Sequence, residues 1–167
     1  MARMKTLSVF LTLFGLFLAV SPASAAPRRE LEKNKAVARR LFEEVLCQGK
    51  WDVFLEIHTP DFVAHAGKRT ETLAEDLDAA KGWLQAFSEP HCRVDQVVAE
   101  GDLVTVRWTA GGANTGVGHG LPATGKTAEI SGITIFRVKD GKLAEEWGLM
   151  DTWGLLKQLG LAPALKQ

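Results

Sequence analysis

The sequence predicts an α+β fold in which helices cover one face of a curved, mostly antiparallel sheet. Apolar residues recur at helical spacing as far as Phe87, and after Pro90 they alternate at a period near two. Turn signals at Glu100-Gly101-Asp102 and Asp140-Gly141 separate the alternating runs. Helical segments followed by hairpin-linked strands make an α+β layer rather than a parallel α/β sheet.

The N-terminus is read first as a leader. Arg3 and Lys5 precede an uncharged, mostly apolar run from Leu7 to Val20, and Ala23-Ser24-Ala25 ends it with an A-x-A pattern. This is the pattern of a secretory signal peptide cleaved after Ala25. Fourteen residues fall short of the ~20 needed to span a bilayer, so a lasting membrane anchor is the weaker reading. The expected address is periplasmic or secreted. The remaining segment, 26–167, suits one domain with one core. It keeps eighteen basic against twenty acidic residues, a net charge of −2, and no basic patch interleaved with aromatics points to nucleic acid.

The chain then falls into elements in order. Ala36, Val37, Leu41, Val45 and Leu46 place an amphipathic helix over 30–47, stopped by Gly49. A short helix fits Trp51 to Ile57, with Thr59-Pro60-Asp61 as its stop, and Phe62 to His65 reads as a short extended segment. Leu73, Leu77, Ala80, Trp83, Leu84 and Phe87 return to helical spacing within 70–87, where Thr72 and Glu75 resemble a capping box. Strands follow over 94–99 and 103–109, with Val104, Val106 and Trp108 as the core-facing set. Residues 110–125 are rich in glycine and form a loop or bulge. Strands over 126–138 and 142–150 and a helix over 153–159 complete the domain.

The last hairpin decides what its acid, Asp151, faces. A three-residue loop with a glycine bulge at Asp140-Gly141 would place Ile133 opposite Leu149, Ile135 opposite Trp147 and Arg137 opposite Glu145. This register gathers the apolar four on one face and pairs the charges at the rim. Asp151 shares parity with Trp147 and Leu149, at the end of an aromatic and aliphatic wall. Two roles are open to it. Desolvation against such a wall raises a carboxyl pKa towards the range useful for proton transfer, whereas an Asp before a helix also caps it by accepting amide hydrogen bonds.

Other polar residues offer fewer signals. Cys47 and Cys92 could pair in an oxidising compartment, although their separation cannot be read from spacing. No C-x-x-C or H-x-x-x-H spacing supports a metal site. His65 either faces a pocket or ends a strand at the surface. His119, between Gly118 and Gly120, is a loop residue or a pocket residue, while His58 and His91 sit beside helix stops and read as solvated. Asn114 could orient a carbonyl but cannot titrate. Arg107 and Arg137 read as rim ion pairs.

Three stretches, LFEEVLCQGKWDVFLEIHTPDFVAHAG, VVAEGDLVTVRWTAGGANTGVGHGLPATGK and ITIFRVKDGKLAEEWGLMDTWGLLKQLG, together resemble the SnoaL-like polyketide cyclases, an ester-cyclase branch of the NTF2-like superfamily. The resemblance implies a cone-shaped fold around an apolar cavity, commonly in a homodimer. It also implies an aspartate late in the chain acting as general acid and base in an intramolecular aldol closure, without metal or organic cofactor. By motif position that role carries onto Asp151, with His65 as its partner and with Trp147, Asn114, His119, Ile135 and Leu149 as substrate contacts. The family pattern is not complete. No histidine lies between Ala128 and Val138, and the chain has no tyrosine, so chemistries that use a Tyr hydroxyl are unsupported. Two functions follow as expectations: a cyclase or isomerase acting on a small apolar carbonyl compound, or a non-catalytic exported protein that binds an apolar small molecule.

Overall fold

The computed structural model describes residues 25–163; the expected leader lies outside them except for Ala25. Helix α1 (Ala25–Arg40) runs into a π-helical segment, Leu41–Leu46, and α2 (Trp51–Ile57) follows after Gly49, whose φ is 65°. Strands β1 (His58–Ala66) and β2 (Arg69–Thr72) precede α3 (Leu73–Ala86). Then come β3 (Ser88–Glu100), β4 (Leu103–Ala113), β5 (Thr127–Lys139), β6 (Lys142–Met150) and α4 (Thr152–Leu159). The expected α+β class is what the structure adopts, with a curved, unclosed six-stranded sheet.

The sheet order is β2-β1-β6-β5-β4-β3, antiparallel throughout except for β1 beside β6. That parallel pair brings the front half of the chain against the last hairpin. Residues on β5 alternate strictly: Ala128, Ile130, Thr134, Phe136 and Val138 are buried, while Ile133 and Ile135 are exposed. The buried set faces the helices. Val104, Val106 and Trp108 join it from β4, as their spacing predicts, and Val45, Phe54 and Ile57 close over it from the helices. Burying side chains of this size contributes roughly 1.5–3 kcal/mol each, which makes the helix–sheet layer the main source of stability.

Several element boundaries differ from the sequence expectation for physical reasons. α2 ends at Ile57 as expected, but Thr59-Pro60-Asp61 lies inside β1, where the ladder to β6 shifts register between His58 and Val63. A proline, lacking an N–H, is tolerated at such an interruption. Residues 70–72 are strand, and α3 starts only at Leu73. The Glu75 amide donates to Thr72 Oγ1 at 3.4 Å and the Thr72 amide donates to Glu75 Oε2 at 2.8 Å, so the expected capping box marks the true start. His58, expected to be solvated, is only 1% exposed and packs between Phe54 and Phe62. Cys47 and Cys92 form a disulfide with Cα atoms 5.6 Å apart, tying the end of the π-helical segment to β3. Among the described residues no helix is long and apolar enough to cross a membrane.

Candidate functional site: an inner cavity with two carboxylates

The last hairpin sets which side chains reach which face. Ile133 pairs with Leu149, Ile135 with Trp147 and Arg137 with Glu145, the register expected from sequence. The loop that produces it differs. Lys139 pairs with Lys142 across a two-residue turn, with Asp140 and Gly141 both at positive φ, and the extra residue is a bulge in β6 at Ala144. Because the bulge adds one residue after the turn, Glu145, Trp147 and Leu149 share one face and Glu146, Gly148 and Met150 the other.

The second of these faces floors a partly open cavity of about 140 Å³ between the sheet and the helices. The π-helical segment supplies Leu41, Phe42 and Leu46 to its wall, and α2 supplies Phe54. From α3 come Asp76, Ala79, Ala80 and Trp83, and the sheet adds Trp108, Ile130, Thr134, Glu146 and Gly148. A π-helical turn re-aims side chains relative to a regular helix, and such turns recur at functional sites. Here it lets Phe42 lie against Trp108, with ring centroids 5.6 Å apart. Trp108 in turn occupies space that only Gly132 leaves open, since a Cβ there would stand 2.5 Å from the indole. Its Nε1 donates to Thr134 Oγ1 at 3.0 Å.

Two acids enter this apolar space from opposite walls, Asp76 from α3 and Glu146 from β6. Burial raises the Glu146 carboxyl to about 8, and the nearby Asp76 and Glu71 carboxylates push in the same direction. Burial, with Glu71, raises Asp76 to about 6. No hydrogen bond or ion pair from the described residues offsets either shift. The pair therefore titrates as a unit and holds about one proton near neutrality, giving one acid and one base in the same cavity.

The opposite face carries most of the residues singled out from sequence. A groove of about 650 Å³ there is lined by His65, Arg107, Ile133, Ile135, Trp147, Leu149 and Asp151. His65 stacks on Trp147, with centroids 5.0 Å apart and planes within 6°, and its Nε2 donates to Glu145 Oε1 at 2.9 Å. Arg137 donates to Glu145 Oε2 at 3.1 Å and to Asp102 Oδ2 at 2.7 Å. The His65 hydrogen bond first, and Arg137 second, hold the Glu145 carboxyl below the usual range. The apolar wall of Ile135, Trp147 and Leu149 thus exists, but on the face the helices do not cover.

Asp151 sits at the end of that wall and is exposed; its Oδ1 accepts from the Gly154 amide at 2.8 Å and so caps α4. Asp151 and His65 line the outer groove and are apart from the inner cavity. Asn114 is fully buried and spends its amide on the fold. Nδ2 donates to Ala86 O and Gly116 O, while Oδ1 accepts from the Thr124 amide and hydroxyl, which leaves nothing for a ligand. Of the residues proposed from sequence, His119 alone lines the inner cavity, edge-on to Trp83 at 6.1 Å. Neither Glu146 nor Asp76 stands out in the sequence. The available signal was parity, since a hairpin that puts Glu145 beside Arg137 must turn Glu146 to the other face. Among the described residues no cluster of three His, Cys, Asp or Glu is arranged to hold a metal ion.

Comparison with known proteins places this architecture. The model of the family "SnoaL-like polyketide cyclase" matches residues 36–159. A structure from Jannaschia sp. CCS1, described as a SnoaL-like polyketide cyclase, is 26% identical, with a TM-score of 0.71, covering 80% of this chain and 95% of its own. IdmH of Streptomyces antibioticus, described as a polyketide cyclase, is 27% identical with a TM-score of 0.66, covering 76% of this chain and 98% of its own. AclR of Streptomyces galilaeus, described as a hydroxylase, shares the fold at 23% identity and a TM-score of 0.72, covering 82% of this chain and 91% of its own. A search of curated proteins finds no match. The fold is NTF2-like, and with residues 36–159 matched by the family model the chain belongs to the SnoaL-like polyketide cyclase family.

Proposed function

We propose that the protein is a cofactor-independent cyclase or isomerase that moves protons on a small apolar carbonyl compound in the inner cavity. One observation carries this reading: Glu146 and Asp76 share a largely apolar cavity beneath the helices, with pKa values displaced into the neutral range. In the singly protonated pair, the carboxylate takes a proton from the carbon beside a carbonyl. The carboxylic acid donates a hydrogen bond to the carbonyl oxygen as the enolate forms. The enolate carbon then attacks a second carbonyl of the same molecule, or is reprotonated at another position. In the first case the new alkoxide takes up one proton, and the carboxylates return to their starting state. The cavity volume, near the ~150 Å³ that accepts benzene, supports a compact substrate.

Exchange of α-carbon hydrogens of cyclohexanone for deuterium in D2O, followed by NMR, tests the first half of this chemistry without knowledge of the natural substrate. Wild-type protein should exceed the background rate, with a bell-shaped pH dependence whose limbs fall near 6 and 8. A rate equal to buffer at every pH would leave the non-catalytic binding reading in its place.

Two wider expectations join this proposal. Export is supported by the leader pattern over 1–25 and by the Cys47–Cys92 disulfide, which suits an oxidising compartment; the check is N-terminal sequencing of protein recovered from the periplasm or medium. Homodimerisation through the outer face is supported by Ile133 and Leu149, 48% and 80% exposed beside the outer groove. Leu149→Asp should then give a monomer in light scattering, and an unchanged mass for that variant would remove the interface.

A further inference from the structure

The inner cavity combines two features that a purely apolar ligand does not use. Asp76 and Glu146 project into it without a cationic partner among the described residues, and no described lysine or arginine lines it. Around them stand four aromatic side chains, Phe42, Phe54, Trp83 and Trp108. Thr134 Oγ1 is already occupied by the Trp108 indole N–H. A neutral hydrocarbon there would displace water from two carboxyl groups and leave them unpaired, at the cost of desolvation. A cation would answer both features at once, by Coulomb attraction in a poorly hydrated space and by contact with the ring faces.

We propose that the ligand of the inner cavity carries a positive charge: a small protonated or quaternary amine whose charge lies against Asp76 and Glu146 and whose alkyl groups pack on Trp83 and Trp108. This rests on the reading that the inner cavity is the ligand site, and it replaces the apolar substrate class with carbonyl compounds that also bear a basic nitrogen. The charged and titratable groups that act at the cavity are Asp76 from α3, Glu146 from β6, Glu71 from β2 and His119 from the loop after β4. The π-helical segment, α2, β4 and β5 line it with no ionisable side chain.

The proposal gives a pH dependence opposite in sign to that of a neutral ligand. A cation binds the ionised pair, so its affinity rises with pH. A neutral hydrogen-bond acceptor needs a protonated acid, so its affinity falls. Tetramethylammonium is the suitable probe because its charge does not change with pH, and tert-butanol is the neutral probe of similar shape. Both are titrated into the protein at constant ionic strength while the indole N–H resonances of Trp83 and Trp108 are followed by NMR. Tetramethylammonium should bind ~10-fold or more tightly at about pH 8.5 than at about pH 5.5, and more tightly than tert-butanol at the higher pH. Glu146→Gln and, independently, Asp76→Asn should each reduce that gain while tert-butanol binding persists; Glu145→Gln, on the outer face, should leave it. Binding of tert-butanol with no preference for tetramethylammonium at high pH would overturn the cationic class and leave the cavity reading standing. Failure of both probes to shift either indole would overturn both.

Discussion

Glu145 and Glu146 are adjacent in the chain but face opposite sides of the sheet: Glu145 accepts from His65 and Arg137 on the open face, and Glu146 stands in the inner cavity with no partner among the described residues. Strand alternation separates them, and their protonation follows. The same side-chain type is held below its ordinary pKa by donors on one face and raised by burial on the other.

The first prediction uses this pair as its own control. Glu146→Gln should lower α-carbon exchange by ~10²-fold or more, whereas Glu145→Gln should leave exchange intact and change stability by less than about 1 kcal/mol. A group whose folded pKa is raised stabilises fully below its unfolded value and loses that contribution as pH rises through the folded one. Glu146→Gln should therefore melt higher than wild type above about pH 8, the region in which the native carboxylate is forced to ionise. Exchange kinetics and melting curves on both variants check the two statements separately.

Asp151 provides the second. Asparagine caps a helix about as well as aspartate, but it cannot move a proton. With Asp151 bonded to the Gly154 amide, Asp151→Asn should preserve both stability and exchange, and Asp151→Ala should cost about 1 kcal/mol while still preserving exchange. A ~10²-fold drop in exchange for the asparagine variant would return the catalytic role to Asp151.

The fate of that residue marks what the sequence could and could not disclose. Helical spacing, the Thr72–Glu75 box and the Asp140-Gly141 turn located most elements, because each is a local signal. The register of Ile133, Ile135 and Arg137 against β6 was also legible, because the alternative scattered the apolar residues. What alternation cannot state is which face the helices cover. Both faces of β5 are apolar, Ile130 and Phe136 on one and Ile133 and Ile135 on the other. The face richer in visible candidates turned out to be the open one, so Trp147, Leu149 and Asp151 share parity as expected but lie away from the cavity. Asn114 was obscured differently: its partners, Ala86 and Thr124, come from two distant segments that only the folded loop brings together.

The third prediction concerns acid stability. His58 Nδ1 donates to Phe54 O at 2.7 Å, Nε2 is buried without a partner, and desolvation lowers its pKa to about 4 from 6.5. The unfolded chain therefore binds the proton more readily. The stabilisation is complete above the unfolded value, falls as pH drops from 6.5 towards 4, and is lost below that, by about 3 kcal/mol in all. Asp76 and Glu146 act with the opposite sign, losing stability as pH rises, so the two effects overlap in weakly acidic buffer. Urea unfolding of wild type and His58→Leu across that window isolates the histidine. The variant should be less stable at neutral pH, where the Phe54 hydrogen bond is missing, and should lose less on acidification. Parallel pH profiles for the two proteins would show that His58 does not titrate against folding.

The fourth prediction follows from where the disulfide is anchored. Cys47 comes directly after Leu46, which lines the cavity, and Cys92 lies on β3. With a sequence separation of 45, closing this loop lowers the entropy of the unfolded chain by about 4 kcal/mol in free energy at room temperature. Cys47→Ser with Cys92→Ser should therefore reduce stability by a few kcal/mol, without any change in the sheet that the hairpin organises. The second consequence is local. The π-helical segment continues from α1 and ends next to this bond, and it carries Phe42 and Leu46 to the cavity wall. If the bond orders the wall as well as closing a loop, the double variant, assayed well below its melting temperature, should bind tert-butanol several-fold more weakly. Equal affinity in the oxidised and double-serine proteins would confine the disulfide to stability and leave the cavity wall ordered by packing alone.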